Sequence, residues 1–466
     1  MCFSNKNHWR RRAAIVCCSL LLLIHQNLYA FSAYSNNELD QLEKEFVEQI
    51  NQSPSVLREP LANQYINQLA KRLALHGQMS QPYFFIVKSN EINAFAGPGG
   101  YIGINTALVL ASENESELAA VMAHEMSHVR QHHLYRMLEH QKQMKAPMLA
   151  SLLAAIALGA INPALGSGAL AASLGGFAQD NISFVRSNEK EADRIGIDML
   201  IKSGLDPRGM SGFFKKMQQN TRYYYTANAP AILRTHPLDE DRIAEAENRT
   251  ANLHLHTVED NLDYRLFKEL IRTSVASNDK QLIDYYTSDC NRTNSQKNIC
   301  AYGLALAYLN VNQFEHAKNA IQPLAIEYPS NLFYGTTLAR AEVGVNQADE
   351  AIHQLEALKT NYPNNYAILF ALAETYAAAN KKDQAESLLL KTSRLFPHDL
   401  VICEALAQAE ANNHRKNYAY FTEAQCHLLQ GQRKEALRSL AHAQTMSKKD
   451  PYLTARITAK IDEIKN

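Results

Sequence analysis

The chain has 466 residues with 47 basic and 47 acidic side chains, a formal net charge of zero and 46% hydrophobic residues. That length exceeds what one core usually organises and points to two medium domains. The balanced charge and the absence of a long basic run give no argument for a nucleic-acid partner. Arg10, Arg11 and Arg12 precede the apolar run 13–24, and a polar stretch then ends in Leu28-Tyr29-Ala30. This is the three-part pattern of a secretory signal, and its apolar core is too short to span a bilayer comfortably. Cleavage is expected near Ala30, with an uncleaved anchor as the alternative. Val16 stands before Cys17 where a lipoprotein signal needs a small residue, so lipidation is not expected.

Next, 39–50 and 61–75 read as amphipathic helices and 83–88 as a strand. Two further strands, 92–96 and 101–104, are joined by Gly97-Pro98-Gly99-Gly100, a tight hairpin connection that predicts a small antiparallel sheet. Asn93, Ala94, Phe95 and Ala96 are the candidate edge, where backbone hydrogen bonds can take up any extended chain by strand addition. The alternative is an internal strand.

The segment 116–139 has helical spacing, and Asn114 with Glu117 resembles a capping box at its start. Within it lies His124-Glu125-Met126-Ser127-His128. At about 100° per residue, His124 and His128 project from one face with Glu125 beside them. Two neutral imidazoles one turn apart can bind a zinc ion while the carboxylate reaches the attacking water. From 146 to 179 there is no charged residue and no histidine, but Gly and Pro divide the stretch into pieces too short for a full membrane span. A buried helical pair, a membrane-dipping hairpin and a transmembrane pair all remain open, and peripheral membrane contact is one consequence. A second helical motif follows in 188–196, with Glu189 and Asp193 one turn apart. A catalytic zinc has three protein ligands and an open position, and a ligating imidazole donates its other N–H to an acceptor. Glu189 is the expected third ligand and Asp193 the acceptor. Glu191 points about 200° away from Glu189 and is the poorer ligand. His236 precedes Pro237 and so sits in extended backbone, from which it can approach the metal. There it would either support the oxyanion or occupy the open position. His132, His133 and His140 read as solvated or structural.

Beyond the signal four cysteines remain, Cys290, Cys300, Cys403 and Cys426, an even count that permits two disulfides in an exported chain. The local pairing, 290 with 300 and 403 with 426, is one of three connectivities, and buried thiols are the alternative. Ala317, Ala351 and Ala385 recur every 34 residues, as do Pro329, Pro363 and Pro397, with Ala305, Ala339 and Ala373 in the same register. That period predicts tetratricopeptide repeats, helix pairs that stack into a protein-binding array. A degenerate unit is expected at 418–451, and 262–286 supplies a further helix pair or a linker.

The pair of motifs, His-Glu-x-x-His and Asn-Glu-x-x-Ala-Asp-x-x-Gly, resembles the gluzincin peptidases related to the heat-shock protease HtpX and the CAAX prenyl protease. The resemblance extends over the chain beyond the signal, including Asn93-Ala94-Phe95-Ala96 and Thr235-His236-Pro237. It implies one Zn2+ per chain held by His124, His128 and Glu189, Glu125 as general base, and involvement of His236 at the site. It also implies a periplasmic protein that meets unfolded or misassembled outer-membrane β-barrel precursors and, through its repeats, the machinery that assembles them. The expected fold is mostly α: a signal at 1–30, an α+β zincin-like metalloprotease domain with a small antiparallel sheet at 31–251, and an α-solenoid of tetratricopeptide repeats at 252–466. A chaperone or assembly adaptor with a latent protease site, and an integral-membrane protease, are the competing functions.

Overall fold

The computed structural model describes residues 36–137, 179–223, 231–253, 261–290 and 297–465. The expected signal, His140 and the uncharged stretch up to 178 lie outside the described residues.

Helix α1 (Asn36–Gln52) and helix α2 (Pro60–Gly77) lead into strands β1 (Tyr83–Val87), β2 (Ala94–Ala96) and β3 (Tyr101–Asn105). Side chains alternate across a strand, and here the alternation sorts two cores. Phe85, Val87 and Phe95 pack with Phe46 and Ile50 of α1 on one face of the sheet. Phe84, Ile86, Ala94, Ile102 and Ile104 enter the main core on the other. Gly99 and Gly100 take φ of 68° and 80° in the connection between β2 and β3, a region open to glycine.

The sheet is mixed rather than wholly antiparallel. Its order is β1-β3-β2, with β3 antiparallel to β2 but parallel to β1. The chain leaves β1 for the far edge, and the hairpin returns β3 into the middle, running the same way as β1. Hydrophobic alternation sets which face a residue takes, not which strand lies beside it.

After α3 (Thr106–Ala111), helix α4 (Glu115–Arg130) carries the two histidines through the centre of the molecule. Leu118, Ala119, Ala120, Val121, Met122, Ala123 and Met126 are all buried, so α4 is enclosed on every side. Asn114 caps it by accepting from Glu117 N at 3.0 Å, while the Glu117 carboxylate accepts from Glu113 N rather than from Asn114 N. The helix stops at Arg130, short of the expected 139, because His132 turns the backbone into the left-handed region at φ 53°. Helices α5 (Gln179–Lys202), α6 (Arg208–Tyr223), α7 (Ala231–Thr235) and α8 (Glu240–Ala251) follow, with α5 and α6 against α4.

The remainder is helical hairpins: α9 (Leu262–Ser274) and α10 (Asp279–Asp284), α11 (Lys297–Asn310) and α12 (Phe314–Glu327), α13 (Leu332–Gly344) and α14 (Ala348–Asn361), α15 (Tyr366–Ala378) and α16 (Lys382–Leu395), then α17 (Leu400–Asn412), α18 (Lys416–Leu429), α19 (Arg433–Met446) and α20 (Pro451–Lys465). The first turn of successive pairs is closed by a left-handed residue: Asn312, Asn346, Asn380, His414 and Gly431. Asparagine and glycine tolerate that conformation at a helix C-terminus. The first four lie 34 residues apart, but Gly431 follows His414 after only 17, half a period. Helix α18 therefore pairs backward with α17 and forward with α19. The pair α18–α19 falls on most of the unit expected at 418–451, with Ala424 and Ala436 buried in its core and Pro451 opening α20, and α17–α18 is a unit that the proline marker misses. Both local disulfides form, Cys290–Cys300 and Cys403–Cys426, the latter tying α17 to α18.

The array is joined to the first half by a continuous core. Tyr65 of α2 stacks on Phe267 at 4.5 Å between centroids and lies 6.1 Å from Phe333. The Tyr264 hydroxyl and Lys268 Nζ both donate to Ser112 O, just before α4, at 2.9 and 2.6 Å. Farther along, Gln64 accepts from Tyr366 N and Asn51 donates to Leu429 O.

Candidate metal centre

Helix α4 presents His124 and His128 from one face, and α5 crosses it with Glu189 opposite. Gly196 permits the close crossing, since a Cβ there would stand 3.3 Å from His124 N and 3.0 Å from Met210 Cε. His236, held at the end of α7 by donation from its own N–H to Ile232 O, closes the group. Ligating atoms of His124, His128, Glu189 and His236 all lie within 4.8 Å of one another. His124 Nε2 is 2.9 Å from His128 Nε2 and 3.3 Å from both Glu189 Oε2 and His236 Nδ1. His236 Nδ1 is 3.1 Å from Glu189 Oε1.

Three imidazole nitrogens and a carboxylate converging on one point are the donor set of a metal site. Glu125 lies next to it, 1% exposed. His236 Nε2 comes within 3.3 Å of Glu125 Oε1 but is not aligned for a hydrogen bond, and neither carboxylate oxygen of Glu125 has a hydrogen-bond partner. A buried carboxylate without partners is costly unless something else enters the space it faces.

The surroundings fix the charges. Asp193 accepts from His124 Nδ1 at 2.9 Å and receives Arg242 bidentately, Nε at 2.7 Å and Nη2 at 2.8 Å. Arg242 Nη1 also lies 3.0 Å from Glu189 Oε2, and its guanidinium stacks 5.0 Å from the Phe214 ring centroid. Burial opposes charge on Asp193, yet hydrogen bonds from His124 and Arg242 hold its pKa below the usual carboxylate range. Glu189 is likewise held well below it, against burial, by His236, His128 and His124. Burial also opposes charge on His124, but Asp193 and Glu189 raise it to about 10, and Glu189 and Glu125 outweigh burial to raise His236. Burial dominates at His128 and lowers it. A metal cation in the same space would compete for these imidazole lone pairs and take over the role of the protons.

Every residue expected at the site from sequence is brought to one place except the edge segment, which lies beside it. Strand β2 is at the sheet edge and packs against α4, with Ala94, Phe95 and Ala96 paired to Ile104, Gly103 and Ile102 on its inner side. Asn93 Oδ1 is buried without a partner. Ile92 O accepts from Ile232 N at 3.1 Å, so the segment that carries His236 hangs on the start of this edge.

Two residues were not anticipated. Arg242, 2% exposed, pairs with both Glu189 and Asp193 of α5. Its signal was Asp239, which caps α8 through Arg242 N and so fixes the arginine in the first turn after His236-Pro237. His133, read as solvated or structural, is buried, with Nδ1 at 2.8 Å from His128 Nδ1 and Nε2 at 3.1 Å from Glu191 Oε2. Burial and the neighbouring His128 lower its pKa to about 4.

Residues 60–250 match the profile of peptidase family M48. The chain is 38% identical to the beta-barrel assembly-enhancing protease of Escherichia coli strain K12 over 308 residues, 66% of this chain and 63% of that protein. It is 34% identical to the protein of the same name from Yersinia pestis, covering 62% of this chain and 60% of the relative. It is 28% identical to the mitochondrial metalloendopeptidase OMA1 of Bos taurus over 34% of this chain and 30% of that one. The match thus spans less than two thirds of the length of these curated relatives. Among the described residues no helix is long and apolar enough to cross a membrane. The segment 60–250, which contains the His-Glu-x-x-His helix, is thus where the chain is similar to peptidase family M48.

Proposed function

We propose that the chain is a zinc-dependent endopeptidase of the cell envelope that degrades misassembled outer-membrane β-barrel proteins and assists their assembly. One observation carries this reading: four ligating atoms within 4.8 Å of one another beside a buried carboxylate that has no hydrogen-bond partner. The nitrogen-rich donor set fits one Zn2+, with His124, His128 and Glu189 as ligands and Asp193 orienting His124. Zinc, when bound, supplies a Lewis acid that makes water a nucleophile at neutral pH and polarises a carbonyl. Glu125 then accepts the proton of the attacking water and delivers it to the leaving amine. Asn93, Ala94, Phe95 and Ala96 run along the side of β2 that no strand covers among the described residues, where an extended substrate adds as a further strand. His124, Glu125 and Glu189 are buried and His128 is only partly exposed, which favours a substrate that is locally unfolded.

His236 is the natural regulator. Its Nδ1 shares the space of the three expected ligands, so it would also hold a bound metal and keep the peptidase latent. The names of the relatives support barrel assembly as the setting, and the helical array from 262 onward supplies a protein-binding surface for substrates and assembly machinery. We retain a division at 251/252, a periplasmic location after removal of 1–30, and peripheral membrane contact through 146–179 as parts of the same proposal.

The test is digestion of an unfolded substrate. We expect Glu125→Gln to take up zinc as wild type does and to cleave about 10²–10⁴-fold more slowly, the range of a general base. Undiminished cleavage would exclude the mechanism. His236→Ala is expected to cleave faster than wild type, whereas slower cleavage would assign it to the oxyanion. A protein in which no variant cleaves, with or without zinc, would instead be an assembly adaptor built on its repeats.

A further inference from the structure

We infer that His133 and Glu191 form a relay that fixes the tautomer and direction of His128, and so the affinity of the site for its metal. The inference rests on the metallopeptidase reading and concerns residues outside its ligand set.

The two imidazoles of α4 are supported differently. His124 turns its outer nitrogen to the carboxylate of Asp193, but His128 turns Nδ1 to another imidazole, His133, at 2.8 Å. Two imidazole nitrogens at that distance share one proton, one donating and one accepting. His128 Nε2 faces Glu189 Oε1 at 3.4 Å and His124 Nε2 at 2.9 Å, so it is the atom offered to a metal and must be unprotonated when it binds one. The proton of His128 is then on Nδ1, and His133 must accept it through an unprotonated Nδ1. His133 in turn carries its own proton on Nε2, 3.1 Å from Glu191 Oε2. A carboxylate only accepts, so Glu191 selects that tautomer of His133, which selects the metal-binding tautomer of His128. Arg136 Nη1, 3.1 Å from the same oxygen, anchors Glu191.

The arrangement depends on the break in α4. Five residues on along an unbroken helix, His133 would project about 140° away from His128. The left-handed His132 folds the chain back and brings His133 under His128 instead. His133 is 4% exposed, while the Glu191 side chain is 39% exposed, so the carboxylate keeps its charge hydrated at the end of the relay. Helix α5 thus gives each metal-facing histidine of α4 an acidic support, directly for His124 and through an imidazole for His128.

His133→Phe keeps the ring volume without an acceptor, Glu191→Ala removes the end of the relay, and Glu191→Gln keeps an oxygen for His133 Nε2–H. Zinc affinity of the full chain is read by competition with a chromophoric chelator, and thermal unfolding of the zinc-free protein reports the fold. His133→Phe and Glu191→Ala are expected to weaken zinc about 10–100-fold, the usual loss when support of a ligand is removed, and Glu191→Gln to stay within about threefold of wild type. The double variant His133→Phe with Glu191→Ala is expected to lose no more than His133→Phe alone, because both act through one nitrogen. Unchanged affinity in His133→Phe, or additive losses in the double variant, would overturn the relay. Should His133→Phe unfold, Glu191→Ala against Glu191→Gln decides, since equal losses in both contradict tautomer selection. Wild-type protein that takes up no zinc would overturn the metallopeptidase reading itself, whereas zinc bound by wild type and equally by His133→Phe defeats only the relay.

Discussion

The metal centre and the helical array are built on opposite principles. His124 and His236 meet across 112 residues of sequence, whereas each helix of the array packs chiefly on the next. A site gathered from distant segments stands or falls with the long-range core, while a stack of hairpins depends on nearest neighbours. Damage should therefore spread in one region and stay local in the other.

The strongest test of that contrast is Arg242→Ala. Its loss leaves Asp193 and Glu189 buried without their cation, a change expected to cost about 3–5 kcal/mol in urea unfolding and to lower zinc uptake together. Weakened metal binding at unchanged stability would break the contrast. Removing the Cys403–Cys426 bridge by a double Cys→Ala change opens a 23-residue separation, worth about 3 kcal/mol, and should loosen α17 and α18 while zinc affinity stays at its wild-type value. A fall in zinc affinity would show that the array is not local. Glu410 gives the smallest and most selective effect. Burial and the charge of Glu386 raise its pKa from 4.5 to about 7, against Thr422, Arg415 and Arg456. The folded carboxyl keeps a proton that the unfolded one has lost, so this contribution is full below pH 4.5 and fades as pH rises through about 7, by on the order of 2 kcal/mol. Glu410→Gln should flatten the fall in array stability over that window, as read by thermal unfolding, without altering zinc affinity at pH 7.

The same contrast explains what could be read in advance. His124, His128 and Glu189 were legible because helical spacing alone puts a donor one turn from its partner, and the repeats because 34 residues is a period no other feature imitates. Arg242 and His133 were not, since their roles depend on how α8 and the turn after α4 pack against α5. The helix end at Arg130 was missed because a histidine, rather than glycine or asparagine, takes the left-handed position. The parallel pairing of β1 with β3 was missed because alternation says nothing about neighbours. The half-period step at α18 escaped because no proline stands at 431, where glycine closes a turn instead.

The stacking of Tyr65 on Phe267, with Tyr264 and Lys268 gripping Ser112, has a mechanical meaning. The array is not a tethered arm that swings freely on a linker, because any pivot between the halves would have to open a packed aromatic core. A pull exerted by a partner on the repeats is delivered as load to Ser112, in the backbone immediately before the helix that carries His124. The protein is therefore geared: what grips the array strains the helix on which the metal-facing histidines ride.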